Sequence, residues 1–175
     1  NVSVGSVVGK TLMFQFEVSF KNPKNTLTIG NEVYKLQQFH FHAPAENEID
    51  GQTYPLEGHF VYKTDNGKIT VISVLYNYGN ENQALKQIWD KMPQAANTET
   101  ELSQAISLDD FYPEDKDYYN FEGSLTTPPC TEGVNWIVFK NQETVSKEQV
   151  EKFTQTLGFK NNRPIQDTNG RQIKE

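Results

Sequence analysis

The stretch from Glu32 to His42, EVYKLQQFHFH, decides the predicted fold. Aromatic and β-branched residues alternate with polar ones along it, which is typical of a strand. Because side chains alternate along a strand, one face is predicted to carry Val33, Lys35, Gln37, Phe39 and Phe41. The opposite face is predicted to carry Tyr34, Leu36, Gln38, His40 and His42.

Further strands are predicted on both sides of this stretch. Leu56–Lys63 (LEGHFVYK) and residues 68–78 (KITVISVLYNY) follow it, and the turn sequence Asp65-Asn66-Gly67 joins these two segments. The three strands are expected to be antiparallel neighbours at the centre of a sheet. Residues 11–20, 121–125 and 135–140 also have the composition of strands.

Helical patterns are confined to short segments. Apolar side chains recur at helical spacing in residues 81–92, which predicts a helix there. Ser146 followed by Gln149 predicts the capped start of another helix, and Gly158 predicts its end. A short helix is also expected to begin at Thr98 or Thr100. The chain is therefore predicted to be mainly β, with a few short peripheral helices.

The composition excludes several classes of protein. The chain has 175 residues, a net charge of −7 and 35% hydrophobic residues. This length, without a long linker, predicts one domain over residues 1–175. The negative charge disfavours nucleic-acid binding, and no apolar run reaches the ~18 residues that span a membrane. The one cysteine, Cys130, excludes a disulfide-dense scaffold and zinc sites built from several thiolates.

The three histidines form the main candidate site. His40 and His42 leave the same face of one strand, and His59 lies on the next strand. Three neutral imidazoles on one face suit Zn²⁺, with the fourth tetrahedral position left for water. Gln38 and Glu57 each precede a histidine by two residues, so they can accept the free ring N–H groups. The alternatives are packed or surface histidines, and two polar side chains that face solvent.

A second metal hypothesis uses Glu46. Residues 40–46 (HFHAPAE) match part of a cupin motif, in which Glu46 would be an iron or manganese ligand. That motif expects a glycine six residues before its first histidine, where Tyr34 stands. The proline and glycine that precede His59 also have the wrong spacing for the second cupin motif. The cupin hypothesis is therefore the weaker of the two.

Longer segments resemble the α-class carbonic anhydrases. They are residues 38–47 (QFHFHAPAEN), 55–61 (PLEGHFV), 123–136 (GSLTTPPCTEGVNW) and, near the C-terminus, 161–166 (NNRPIQ). The similarity runs in order from about residue 9 to residue 166, and the APAEN string resembles the bacterial, secreted members. The resemblance implies a twisted, mostly antiparallel central sheet with short helices around it.

The resemblance also implies an activity. It implies the reversible hydration of CO₂ to bicarbonate and a proton, at a Zn²⁺ ion bound by His40, His42 and His59. Zinc lowers the pKa of bound water from about 15.7 to about 7, which makes hydroxide available near neutral pH. Thr126, whose hydroxyl would donate to the Glu46 carboxylate, would orient that hydroxide toward CO₂.

The remaining family roles fall on other residues. Gln38 and Glu57 would hold the ring nitrogens that face away from the metal, and Thr127 would line the polar side of the site. The apolar wall that receives CO₂ would comprise Val61, Val71, Leu125, Val134 and Trp136. Inhibitory anions and sulfonamides are expected ligands besides CO₂ and bicarbonate, and a homodimer is left open.

The sequence departs from the family in two places. The segment that the family normally has before Gly9 is missing, so Cys130 lacks its usual partner; a cut or lost segment, a free thiol and an intermolecular disulfide are all left open. Lys10 stands where the family often has a proton-shuttle histidine. A lysine with a pKa of about 10.4 is a poor shuttle near pH 7. By resemblance, the protein is expected to be secreted or periplasmic.

A non-enzymatic alternative is a carbonic anhydrase-related binding module. Such relatives typically lose zinc histidines. This chain keeps all three histidines together with Thr126 and Glu46. The sequence therefore favours the enzyme over the binding module.

Overall fold

The computed structural model describes residues 2–3, 6–10, 15–20, 24–94, 98–102 and 104–175, with side chains from residue 16 onward. The described strands are β1 (Val2–Ser3), β2 (Ser6–Lys10), β3 (Gln15–Ser19), β4 (Thr26–Ile29), β5 (Glu32–His42), β6 (Leu56–Lys63), β7 (Ile69–Tyr78), β8 (Glu99–Glu101), β9 (Ile106–Ser107), β10 (Tyr118–Ser124), β11 (Glu132–Phe139) and β12 (Glu143–Val145). The helices are α1 (Gln83–Trp89) and α2 (Lys147–Leu157), with a 3₁₀ turn at Leu108–Asp110.

Ten of these strands form one sheet. Its main order is β10-β11-β7-β6-β5-β3-β2-β8, with β4 beside β5 and β12 beside β7. Only β11 and β12 run parallel to their neighbour β7 among the described pairs, and the other pairs are antiparallel. The predicted mainly β, mostly antiparallel fold is confirmed. That residues 1–175 form a single domain stays a prediction.

The three central strands place the histidines next to one another. In the antiparallel register of β5 and β6, His40 lies directly opposite His59. In the register of β6 and β7, His59 lies directly opposite Ser73. Directly opposed residues of antiparallel strands have Cβ atoms about 4.5–5.5 Å apart. The strand register therefore gathers these side chains on one face of the sheet.

One sequence prediction about β5 is wrong. Tyr34 and Leu36 do not share the face of His40 and His42, because the register shifts between Leu36 and Gln38 and leaves Gln37 as an extra, exposed residue. Such a β-bulge reverses the alternation of side chains beyond it. Tyr34 and Leu36 consequently pack in the same core cluster as the phenylalanines of β5, Phe39 and Phe41.

The two helices pack against each other at the periphery. The side chain of Asn82 caps α1, and Ser146 and Gln149 form the predicted capping box of α2. Gly158 ends α2 with a left-handed φ of 90°, which glycine adopts without steric cost. The indole of Trp89 in α1 stacks on Phe153 in α2. Within the part of the chain described, no helix has the length and apolar character needed to cross a membrane.

Two other expectations have mixed outcomes. The helix expected to begin at Thr98 or Thr100 is wrong, because residues 99–101 form β8 and pair with the edge of β2. The strand expected over residues 11–20 is present as β3, and residues 11–14 lie outside the described residues. Strands expected at 121–125 and 135–140 correspond to β10 and β11.

Buried apolar side chains form two clusters. The larger one contains Phe39, Phe41 and Phe60 and extends to both helices. The smaller cluster consists of Ala45, Tyr54, Val71, Leu75, Val134, Trp136 and Val138, with Val61 and Leu125 among the side chains packed against it. Since neighbouring residues such as Phe60 and Val61 belong to different clusters, the two clusters cover opposite faces of the sheet.

Candidate metal centre

Three buried imidazole rings meet on the face of the sheet that carries the smaller cluster. His40 and His42 come from β5 and His59 from β6, and each residue is at most 7% exposed. One ligand atom from each ring lies within 4.8 Å of those of the other two. The ring centroids are 4.7–5.4 Å apart. Rings this close leave room for one ion between them.

Hydrogen bonds fix which nitrogen of each ring faces the centre. Nδ1 of His40 lies 2.8 Å from Oε1 of Gln38, and Nδ1 of His42 lies 2.9 Å from the carbonyl oxygen of Asn161. Both partners are acceptors, so both rings donate from Nδ1 and keep an unprotonated Nε2. Nε2 of His42 is buried without a hydrogen-bond partner in the described structure. A buried lone pair of this kind fits a metal ligand.

His59 presents its other nitrogen to the centre. Its Nε2 lies 3.0 Å from Oε1 of Glu57, whereas its Nδ1 lies 3.8 Å from Oε1 of Glu46. Burial lowers the pKa of the His59 ring, but the Glu57 and Glu46 carboxylates raise it overall, so a metal ion that binds Nδ1 has to displace a proton. Nε2 of the neutral ring then donates to the Glu57 carboxylate, and Nδ1 carries the lone pair that can bind the metal. The predicted acceptors Gln38 and Glu57 therefore both lie against the histidines that the spacing assigned to them.

Glu57 is fully buried and remains ionised. Burial alone would raise the pKa of its carboxyl group, but the charge of His59 and the hydrogen bonds from His59, Ser73 and Asn47 lower it to about 2. The pKa of His42 falls to about 3, because burial and the neighbouring His59 both disfavour its charged form. At neutral pH His42 is therefore neutral, as a metal ligand must be.

Glu46 lies beside the histidines and is held by the C-terminal segment. Its Oε1 is 3.2 Å from Nε2 of His42, and its Oε2 accepts a hydrogen bond from the backbone N–H of Arg163. Burial raises the pKa of Glu46, and the charge of His59 and hydrogen bonds from Thr126 and Arg163 oppose that rise. A hydrogen bond between Thr126 and Glu46 thus contributes to the pKa of this carboxyl group, and the catalytic roles of the two residues stay predictions.

The predicted apolar residues lie in the cluster on the same face of the sheet as the rings. Val61, Val71, Leu125, Val134 and Trp136 all belong to or pack against the smaller cluster. The indole of Trp136 meets the ring of His59 edge-on at 4.9 Å, and its Nε1 donates to the carbonyl oxygen of Ser124. Thr127 is half-buried in the loop after β10, where its carbonyl oxygen accepts from Cys130. The metal-facing histidines thus adjoin an apolar surface.

Comparison with known proteins decides the family. The family model described as eukaryotic-type carbonic anhydrase matches residues 6–175. This chain belongs to the eukaryotic-type carbonic anhydrase family. The cupin hypothesis, with Glu46 as an iron or manganese ligand, is overturned by this match.

Individual carbonic anhydrases are similar over most of the chain. The chain is 46% identical to a carbonic anhydrase of Pectobacterium carotovorum, over 87% of this chain and 62% of that protein. It is 45% identical to a carbonic anhydrase of Neisseria gonorrhoeae, over 91% of this chain and 63% of that protein. The chain thus spans less than two thirds of the length of these curated relatives.

Solved structures agree with this assignment. The α-carbonic anhydrase of Thermovibrio ammonificans, in complex with the inhibitor sulfanilamide, superposes with a TM-score of 0.91 and 41% sequence identity. The superposition covers 98% of this chain and 77% of that chain. α-Class carbonic anhydrases are zinc proteins, and the three buried imidazole nitrogens are a donor set that suits Zn²⁺.

Some residues around this carbonic anhydrase site were not assigned roles from the sequence. The side chain of Asn161 accepts from the backbone of Ala43 and donates to that of Phe41, which locks its own carbonyl against His42. Ser73 donates to Glu57. Asn161 belongs to a segment that the family resemblance already marked, and Ser73 interrupts the apolar run of residues 71–75 (VISVL), so both carried a sequence signal.

Two predicted features remain open. Lys10 ends β2, and its side chain lies outside the described part of the chain, so its predicted position at the proton shuttle stays a prediction. Cys130 is a half-buried free thiol in the described structure. Its backbone has a φ of 56°, in the left-handed region.

Replacing Glu57 is expected to weaken zinc binding. In Glu57→Ala the ring of His59 loses its acceptor, so neither its tautomer nor its orientation is fixed. We expect zinc affinity to fall by about 10–100-fold, as is typical for loss of a hydrogen-bond partner of a metal ligand. Competition with a chelator such as dipicolinate measures this affinity. Glu48→Ala, at an exposed glutamate outside the site, is the control, and equal affinities in the two variants would contradict the role of Glu57.

Proposed function

We propose that the chain is a zinc-dependent carbonic anhydrase, which interconverts CO₂ and water with bicarbonate and a proton. The observation that carries this proposal is the convergence of His40, His42 and His59, with their ligand atoms within 4.8 Å of one another and their outer nitrogens held by acceptors. These three rings would hold Zn²⁺. When bound, zinc lowers the pKa of a coordinated water toward neutrality and so supplies hydroxide.

Thr126 and Glu46 would orient the nucleophile. The Thr126 hydroxyl donates its proton to the Glu46 carboxylate, so its oxygen can only accept from a hydroxide placed beside it. The hydroxide proton is then turned away from CO₂ and an oxygen lone pair toward its carbon. Glu46 is itself fixed by the backbone of Arg163, which keeps this acceptor in place. Thr126 and Glu46 would contribute by positioning the hydroxide, and no proton is transferred between them.

The smaller cluster would supply the surface for CO₂. The substrate is apolar, and a wall formed by Val61, Val71, Leu125, Val134 and Trp136 offers it contacts without competing hydrogen bonds. Thr127 would line the polar side, where bicarbonate leaves. Small anions and sulfonamides would compete for the same place, as supported by the sulfanilamide complex of the Thermovibrio ammonificans protein.

A stopped-flow CO₂ hydration assay on the zinc-loaded chain tests this function. We expect activity that acetazolamide abolishes, as a sulfonamide that binds at the metal should. Zinc bound at one ion per chain without hydration activity would instead favour the carbonic anhydrase-related binding module. A chain that binds no zinc would contradict the proposal altogether.

Proton export is expected to limit turnover. Each hydration releases one proton, and the chain has no histidine besides the three at the metal centre. Lysine has an unperturbed pKa of about 10.4 and exports protons poorly at pH 7, whereas a histidine near pKa 6.5 is suited to it, so Lys10 is a poor substitute at the shuttle position. We therefore expect turnover to rise several-fold with added imidazole buffer.

Lys10→His should relieve this limit. We expect kcat in dilute buffer to increase several-fold and its dependence on imidazole to decrease, with kcat/KM for CO₂ unchanged because hydration itself is untouched. Lys24→His, at an exposed lysine elsewhere on the chain, is the matched control. Wild-type turnover that does not respond to buffer concentration would show that another group exports the proton.

We also propose that this is a secreted or periplasmic bacterial protein. The proposal is supported by the 45–46% identity to carbonic anhydrases of two bacteria. Fractionation of the source cells is the test, and recovery in the cytoplasm would contradict it. A homodimer stays open, and sedimentation equilibrium of the purified chain decides between monomer and dimer.

A further inference from the structure

Ser73 is a polar residue in a strand that is otherwise apolar around it. It lies between Ile72 and Val74 in β7 and is fully buried. Its Cα stands directly opposite that of His59 in the neighbouring strand. Burying a hydroxyl group costs free energy unless it forms a hydrogen bond. The position of Ser73 therefore calls for a specific partner.

That partner is the carboxylate that orients His59. The Ser73 hydroxyl donates to Oε1 of Glu57 over 2.5 Å. The same oxygen lies 3.0 Å from Nε2 of His59 and accepts from the side-chain amide of Asn47 over 2.6 Å. The other oxygen, Oε2, accepts from the backbone N–H groups of Glu46 and Asn47. Both carboxylate oxygens are therefore held by several donors.

The donors differ in where they come from. Among the described residues, the donors to Glu57 other than Ser73 and His59 belong to residues 46–47, in the loop between β5 and β6. Within this described set, Ser73 is the one donor to Glu57 that comes from β7. Without it, Oε1 would be drawn toward Asn47, and the carboxylate could turn away from His59. Ser73 thus holds Oε1 between the loop and the ring.

We propose that Ser73 is a positioning residue for the metal centre, which acts through Glu57 to hold Nδ1 of His59 toward the zinc position. This inference rests on the proposed function, since it concerns the same zinc site. According to this proposal β7 contributes to metal affinity, although the three metal-facing rings come from β5 and β6. Ser73 is outside the set of three ligand residues, and its hydroxyl contacts Glu57.

Removal of this hydroxyl should weaken zinc binding. In Ser73→Ala we expect zinc affinity, measured by dipicolinate competition, to fall about 10-fold, the lower end of the range for partners around a metal ligand. The matched control is Thr70→Val, because Thr70 is an equally buried hydroxyl of the same strand that meets Asn135 and not Glu57. Thr70→Val should leave zinc affinity unchanged.

Cobalt provides a readout of ligand geometry that overall stability does not affect. Co²⁺ in place of zinc gives visible absorption bands that depend on the arrangement of its ligands. We expect these bands to shift in Ser73→Ala and to stay unchanged in Thr70→Val. Identical cobalt spectra and equal zinc affinities in wild type and Ser73→Ala would overturn the proposal.

A double-mutant cycle tests whether Ser73 acts through Glu57. In a Glu57→Ala background, Ser73→Ala should cause no further loss of zinc affinity, whereas an undiminished 10-fold loss would overturn the proposed route. If Glu57→Ala does not fold, Glu57→Gln takes its place, and Ser73→Ala should then lower zinc affinity by less than it does in the wild-type background.

A wild-type chain that takes up no zinc would overturn both the proposed function and this inference. Wild-type zinc binding that Ser73→Ala leaves unaltered would overturn the inference alone.

Discussion

Thr126→Ala is expected to lower kcat/KM for CO₂ hydration by about 100-fold or more, with one zinc still bound per chain. Loss of the hydroxyl removes the hydrogen bond to Glu46 and, with it, the acceptor that would orient the nucleophile. A misplacement of reacting groups by about 1 Å can cost about 100-fold in rate. Thr126 is not one of the three zinc ligands, so the zinc content should not change. Stopped-flow hydration and atomic absorption measure the two quantities.

A threonine of the same loop provides the control. Thr131 is exposed, and its backbone carbonyl oxygen accepts a hydrogen bond from the backbone N–H of Leu125. Thr131→Ala should therefore retain wild-type activity. Activity of Thr126→Ala equal to that of Thr131→Ala would remove Thr126 from the mechanism. A loss of zinc in Thr126→Ala would mean instead that the residue serves the metal site and not the nucleophile.

His42→Ala is expected to abolish stoichiometric zinc binding. It removes one of the three buried ligand atoms and leaves only two imidazoles of the set to hold the ion. The decrease in affinity should exceed the roughly 10–100-fold cost of losing a partner outside the ligand set. Equilibrium dialysis against buffered zinc measures it.

The exposed neighbour Gln37 offers a control within the same strand. Gln37→Ala should bind one zinc ion with wild-type affinity, because this residue is the exposed bulge of β5. Stoichiometric, tight zinc binding by His42→Ala would show that the ion is bound elsewhere. Circular dichroism of both variants checks that the sheet is intact.

The central strands could be predicted from the sequence because their patterns are long and local. β5 and β6 begin and end where the sequence predicts, and β7 begins one residue later. His40 and His42 share a face because they are two residues apart, and no bulge lies between them. The spacing therefore made the histidines candidate metal ligands, and the family resemblance assigned zinc to all three.

The bulge at Gln37 shows where strict alternation fails. The buried apolar residues are Tyr34 and Leu36 before the bulge and Phe39 and Phe41 after it, so the apolar phase changes by one residue. The adjacent glutamines 37 and 38 mark that change in the sequence. Alternation counted over the whole strand assigns Tyr34 and Leu36 to the wrong face, whereas alternation counted separately on each side of the glutamines does not.

Contacts between distant parts of the chain could not be predicted by pattern. Asn161 is 119 residues from His42 in the sequence. The hydrogen bond between them depends on the whole sheet and on the path of the C-terminal segment. β8 was predicted as a helix start from local threonines, but pairing with the edge of β2 decides its structure. Strand formation of this kind depends on a partner more than on intrinsic preference.

Diffraction at the zinc absorption edge, from crystals of the zinc-loaded chain, tests the proposed metal centre most directly. We expect one anomalous peak between the three rings, about 2.0–2.1 Å from Nε2 of His40, Nε2 of His42 and Nδ1 of His59. Glu46 should lie beyond bonding distance from that peak. A peak anywhere else, or one bonded directly to the Glu46 carboxylate, would contradict the three-histidine zinc site.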